Sequence, residues 1–406
     1  MEMQVKRAMQ LEVVLAITLA MAPALGLAQA AAIAENPRQA AITLEQQGMN
    51  AEAETAWRAV LKARPANSEA YAHLALLEAR QQHYTEAVPL YRKAMALNPS
   101  MPGLRLNYGL SLFKSGALKD AILTFMPLLK NQPPSSPETV RLRTLIGMAH
   151  YGLGEYAAAV PFLKQATAAD PKNLAFRLAL AHSCLWSKQY QCVLDVYHEI
   201  LTLNAESAEA DMLAGEAMDE LHDSAAAAEQ FRAAVKADPK MPEVHFGLGY
   251  LLWGALKYEE AAQEFQAELI NNPDHAQALA YLADCDIRLN RPENARQLLE
   301  KAIQLNARIE LAHFNLGILY GDVGRKDDAL RELKLASSLD PNDVNVHWRL
   351  AKIYQTAGNK DDAKAEFEKT RSLKKAADDT IFTKLHQAQD KGKLTPEVPG
   401  APLQVH

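Results

Sequence analysis

Cysteine is scarce: only Cys184, Cys192 and Cys285 occur in 406 residues. So few cannot form a disulfide framework, and the fold must rest on apolar packing. Basic charge is not in excess either. Lys and Arg number 43 against 49 Asp and Glu, a net charge of −6. That balance offers no strongly basic face for nucleic acid, and no nucleic-acid partner is expected. Signatures of catalysis are missing too. The chain has no Gly-rich phosphate loop, no nucleophile elbow and no Cys-x-x-Cys pair. His198 and Glu199 open the stretch HEILT, but Thr202 stands where a zinc-binding helix needs its second His. No enzyme activity, cofactor, metal or small-molecule substrate is expected.

The N-terminus has its own character. Lys6 and Arg7 precede an apolar run from Leu11 to Leu27, followed by Ala28, Gln29 and Ala30. A basic start, a hydrophobic centre and a small-x-small site describe a secretory signal peptide over residues 1–30. The mature chain is then expected to begin near Ala31, outside the cytoplasm, periplasmic or secreted. Glu12 at the edge of the run leaves an alternative, an uncleaved membrane anchor over residues 11–29. Membrane contact is expected only in that case. No later segment is apolar enough to span a bilayer.

What the chain does have is a period. Pro65, Pro99 and Pro133 are 34 residues apart, and Pro171 follows after 38. Ala205, Pro239, Pro273, Ala307 and Pro341 then continue at 34. Twelve residues before each of these positions stands a small residue, as in Ala53, Ala87, Ala121, Ala261 and Ala329. Four after that stands a bulky one: Trp57, Tyr91, Phe125, Leu163, Tyr197, Phe231, Phe265, Leu299, Leu333, with Phe367 last. A second small column includes Gly109, Gly147, Gly215, Gly249 and Gly317. Spacings of three, four and seven belong to amphipathic helices, here two per period. Gly48, Gly116, Gly154, Gly324, Gly358 and Asn290 share the slot between the two helices, where a left-handed residue stops the first.

These columns resemble the tetratricopeptide repeat. The match covers ten units over residues 34–377, the first degenerate, with Ala40 and Ala41 where Leu-Gly is expected. One helix pair cannot bury its own apolar face, so stacked copies must repeat the same slots. The resemblance implies an all-α, right-handed superhelical solenoid of antiparallel helix pairs, with first helices lining the inner surface. Residues 378–390 read as a capping helix, with Ile381, Phe382, Leu385 and Ala388 in one stripe. The Pro-rich residues 391–406 read as a disordered tail.

Cys184 and Cys192 fall in one helix pair, eight residues apart. Either they are bonded, as an oxidising compartment permits, or both are small buried residues. His245, His313 and His347 recur in one slot of the first helix. Metal binding or pH sensing is one reading; flat rings filling a slot is the other, and the simpler. The four extra residues within 131–138 are expected to form a surface loop.

On the resemblance, the concave groove would be lined by Phe246, Tyr250, Trp253, Tyr281, Phe314, Asn315, Trp348, Arg349 and Lys352. Arg288 lies near its rim, and Trp186 and His182 extend the series backward. The sixth unit instead offers Glu209, Glu216, Asp219 and Glu220. Aromatic residues beside Arg are the usual makings of a binding hot spot. About half of these rings are expected to pack between helices instead. The expected function is a non-enzymatic scaffold that binds a protein or peptide. A structural subunit of an envelope assembly for polysaccharide export or secretion is the second expectation.

Overall fold

The computed structural model describes residues 36–130, 132–133, 136–203 and 207–392, with side chains described as far as residue 379. The expected signal peptide and most of the expected tail therefore lie outside the described residues. The chain forms two compact units, Met1–Ala205 and Glu206–His406.

In the first unit the helices are α1 (Pro37–Gln46), α2 (Asn50–Ala63), α3 (Ser68–Arg80), α4 (Tyr84–Leu97) and α5 (Leu104–Lys114). They continue as α6 (Leu118–Leu129), α7 (Pro137–Gly152), α8 (Tyr156–Ala169), α9 (Leu174–Trp186) and α10 (Tyr190–Leu203). The second unit holds α11 (Ala208–Glu220), α12 (Ser224–Ala237), α13 (Val244–Gly254), α14 (Tyr258–Asn271) and α15 (Ala276–Arg288). After these come α16 (Pro292–Leu305), α17 (Glu310–Asp322), α18 (Lys326–Leu339), α19 (Val344–Ala357) and α20 (Lys360–Gly392). Among the described residues there is no strand, as the all-α expectation requires. Within each unit, odd and even helices pair, and each second helix packs on the first helix of the next pair.

The sequence columns explain the packing. The small residue of each second helix is buried in all ten repeats, from Ala53 at 0% exposure to Ala363 at 5%. The bulky column is buried from Trp57 to Leu333, while Phe367 on the last helix stays partly exposed. Small and bulky columns meet inside each pair. A Cβ added at Gly249 would lie 2.8 Å from the Phe265 ring, and one at Gly215 2.7 Å from Phe231. Any larger residue would push the two helices apart, which close-packed interiors resist.

The turn slot is more uniform than its residues suggest. Its residue has positive φ in all ten pairs: the five Gly and Asn290, but also Gln82, Lys188, His222 and Leu256, at φ 59–65°. Only the tight stop demanded by the repeat accounts for a left-handed Leu. Side chains then cap many following helices; Asn67, Asn173, Ser207 and Asp223 each accept a backbone N–H of the first turn.

The expected separate cap over 378–390 is not a separate element. α20 runs unbroken from Lys360 to Gly392, so those residues continue the second helix of the last repeat. No Pro or Gly interrupts Lys360–Lys391, and nothing in the sequence stops the helix. The inserted loop is described only in part; Ser136 at its end caps α7 by accepting the Thr139 N–H.

Candidate functional site

Four of the expected groove residues gather around one ring. Phe246, Tyr250 and Trp253 stand on α13, with Tyr281 on the neighbouring first helix α15. The Tyr281 ring meets Tyr250 edge-on at 5.6 Å between centroids, Trp253 at 5.0 Å and Phe246 at 5.9 Å. Behind it Phe265 stacks at 5.6 Å, and His275 stacks on Phe246 at 4.8 Å. Edge-to-face and offset pairs at these separations are favourable beyond their buried area. Burial pushes the Tyr281 phenol up to about 12. Tyr250 alone of the four is well exposed, at 43%. The cluster is a packed wall that presents one ring to solvent.

Asp284 holds this wall to the next repeat. Its carboxylate is 1% exposed. Trp253 Nε1 donates to Oδ2 at 2.7 Å, and Asn315 Nδ2 donates to Oδ1 at 3.0 Å. Arg288 Nε lies 3.5 Å from Oδ2. A buried carboxylate is tolerable only with such donors. Asn315 is therefore a correction to the expected groove. It is 1% exposed, and its amide is spent on Asp284 inside the stack. Column position placed Asn315 on the inner helix but could not say which way it turned. Asp284, an acid set among apolar neighbours, was the available signal and was missed.

The remaining expected residues lie further along. Phe314 is half-buried against the core of the last two pairs, which includes Leu333 and Leu350. On α19, Trp348 is 39% exposed. The Arg349 guanidinium carbon sits 5.2 Å from its ring centre and Lys352 Nζ 5.6 Å, both within cation–π range. The nine residues thus form two places, an aromatic wall on α13 and α15 and a basic, Trp-centred patch on α19. α17 stands between them in the stack.

In the first unit Trp186, 64% exposed, stacks on Tyr156 at 6.1 Å. Cys184 and Cys192 are bonded, S–S 2.10 Å, joining α9 to α10. Cys285 is free and buried, and burial pushes its thiol up to about 12.

The recurrent histidines are structural ties. His245 Nδ1 pairs with Glu264 at 2.6 Å, His313 with Glu332 at 2.8 Å and His347 with Glu366 at 2.6 Å. Each Nε2 also meets a backbone carbonyl six residues earlier, of Pro239, Ala307 and Pro341. One ring so links both helices of its pair to the preceding turn. Among the described residues, no group of three or more His, Cys, Asp or Glu is placed to hold a metal ion. No described helix is long and apolar enough to cross a membrane.

Comparison with known families is consistent along the chain. Three models, each described as tetratricopeptide repeat, match it. One matches residues 38–102, 194–242, 212–269 and 246–308; the second 78–146 and 150–217; the third 311–343 and 344–370. The chain is a tetratricopeptide repeat protein. Such repeats support a protein-interaction scaffold. Its similarity to curated proteins is partial. It is 24% identical over 286 residues to Protein CTR9 homolog of Arabidopsis thaliana, covering 68% of this chain and 26% of that one. It is 25% identical over 233 residues to the peroxisomal targeting signal receptor of Eremothecium gossypii, covering 57% and 40%. The chain thus spans well under half the length of either. Among solved structures it is similar to the Cut9–Hcn1 hetero-tetramer of APC/C, at 16% identity and TM-score 0.47, covering 74% of this chain and 59% of that one. YrrB, a tetratricopeptide repeat protein with an unusual peptide-binding site, matches at 19% identity and TM-score 0.37, covering 44% and 91%.

Proposed function

We propose that this tetratricopeptide repeat protein is a non-enzymatic scaffold that holds a protein or peptide segment along the first helices of its second unit, outside the cytoplasm. The observation that carries the reading is the pair of large rings left exposed there, Tyr250 at 43% and Trp348 at 39%, each backed by fixed neighbours. Rigid aromatic side chains presented from helices lose little entropy on binding and make effective anchors. The relative named as a targeting signal receptor fits such a role. The location outside the cytoplasm rests on the character of residues 1–30, and the Cys184–Cys192 bond agrees with it, since disulfides persist in oxidising compartments.

Capture from an envelope extract by wild type and by a Tyr250→Ala, Trp348→Ala double variant tests the binding. A specific protein lost from the variant, with the fold intact, supports the reading; identical capture rejects it. N-terminal sequencing of the mature protein tests the location. A start near Ala31 supports secretion, whereas Met1 on a soluble cytoplasmic protein rejects it.

A further inference from the structure

The second unit carries its charges in an order. First-helix residues 34 apart occupy one slot of the repeat, and in repeats 6–10 that slot holds Glu216, Tyr250, Asp284, Ile318 and Lys352. α11 bears five acidic residues and no basic one; Asp211 is buried like Asp284, and Glu220 is exposed. α13 bears no Asp, Glu, Lys or Arg and supplies the exposed Tyr250. α19 reverses the sign, with Arg349 and Lys352 and no acid. Asp284 does not break the series, because its charge is buried and engaged by Trp253, Asn315 and Arg288.

The acid end also has room. A cleft of about 590 Å³ opens beside the wall, lined among others by Asp219, Glu229, Arg232, Tyr250, Trp253 and Lys257. Its two carboxylates stand with two cations, and one of these, Lys257, also faces Glu260 at 3.7 Å. An aromatic ring beside carboxylates is a setting for a cationic side chain.

Resting on the reading that the first helices bind a peptide, we infer that its partner is an extended segment with fixed polarity: cationic where it crosses repeats 6 and 7, apolar over Tyr250, and anionic over Trp348 and Lys352. The spacing follows from the stack. Successive first helices touch one another from α13 to α19, and touching helices lie about 10 Å apart, so the four first-helix steps from α11 to α19 span at least roughly 40 Å. At about 3.3 Å per residue, the two charged ends of the segment are roughly 12 residues apart. Like charge placed opposite like charge disfavours the reverse placement, so a given segment is held with its cationic end at α11 and its anionic end at α19.

The test uses synthetic peptides of about 14 residues, long enough for that spacing, with a Leu/Phe centre, read by fluorescence anisotropy on the full chain. Two carry Lys-Lys at one end and Glu-Glu at the other, in the two chain directions. A third has Ser at both ends. Tighter binding of at least one charged peptide than of the Ser-ended one, weakening with salt, is the expected result. Glu220→Lys and Lys352→Glu alter exposed residues and should each weaken it about tenfold. Reversing the charge of the matching peptide end should restore it, which a mere folding defect would not do. If the Ser-ended peptide binds as tightly as both charged ones, the polarity is wrong and the peptide-binding reading survives. If no peptide binds, including the Ser-ended one, both fall.

Discussion

Trp253 donates its indole N–H to Asp284 across 2.7 Å, joining α13 to α15 through a carboxylate that is 1% exposed. That bond decides what kind of residue Trp253 is. A ring fixed to a buried acid and packed on Tyr281 belongs to the fold first. Trp253 is half-buried, so Trp253→Ala should cost towards the lower end of the about 3–5 kcal/mol for emptying a fully buried aromatic site. Trp348→Ala, at 39% exposure, should cost about 0.5 kcal/mol. Denaturant titrations of the two variants check the contrast, and equal losses would refute it.

Asp284 itself should be more sensitive to replacement than its small size suggests. Asp284→Ala leaves the Trp253 and Asn315 donors without acceptors in a buried place. Each such orphan costs about 1–3 kcal/mol. The double variant Asp284→Ala, Asn315→Ala removes one orphan along with its donor and should lose less than the sum of the single changes. A double-mutant cycle measures this coupling, and strict additivity would mean that the bond contributes nothing.

The architecture was legible in the sequence because repetition multiplies weak signals. Ala53 alone predicts nothing, but ten small residues in one column fix a helix contact. The site was only half legible, for the same reason inverted. Tyr250, Trp348 and Lys352 are exposed, Arg349 is half-buried, and Asn315 is buried. Binding residues differ from repeat to repeat, so no column averages out the uncertainty in where each side chain turns. The long α20 was misread as two helices because the period, not any breaker residue, suggested its end.

Leu256 offers a stabilising change. It closes α13 at φ 61° and its side chain is 70% exposed, so little packing is lost on its removal. A left-handed L-residue costs roughly 1–2 kcal/mol that glycine avoids, and glycine gives back about 0.5–1 kcal/mol in unfolded-state entropy. Leu256→Gly should therefore gain about 0.5–1 kcal/mol on this difference. Leu256→Ala should gain less, since it keeps the Cβ. Urea midpoints in that order support the argument; a glycine variant less stable than wild type would overturn it.

The disulfide is checked by counting thiols. Denatured without reductant, the protein should expose one thiol, that of Cys285; after reduction it should expose three. Folded, it should expose almost none, because Cys285 is buried. Reduction should lower stability by about 2–4 kcal/mol, the usual worth of such a crosslink. Three thiols before reduction would remove both the bond and its support for an oxidising compartment.

Glu310 opens α17 with Oε1 buried and without a hydrogen-bond partner. Burial, with Asp343 and Asp340 adding repulsion, pushes its carboxyl up from its ordinary 4.5 to about 7. The sign follows from proton binding. Between these two values the folded state holds a proton that the unfolded state has released. Stability must then fall as pH rises through that window and level off above about 7. An ordinary paired carboxylate differs in sign and in window: it gains its stability as pH rises towards the unfolded value and adds no slope above it. Glu310→Gln mimics the protonated form, so it should flatten this part of the profile and stabilise the protein at pH 8. Melting curves of wild type and variant across the window, at constant ionic strength, separate the cases. Parallel profiles would show that Glu310 titrates as an ordinary surface acid.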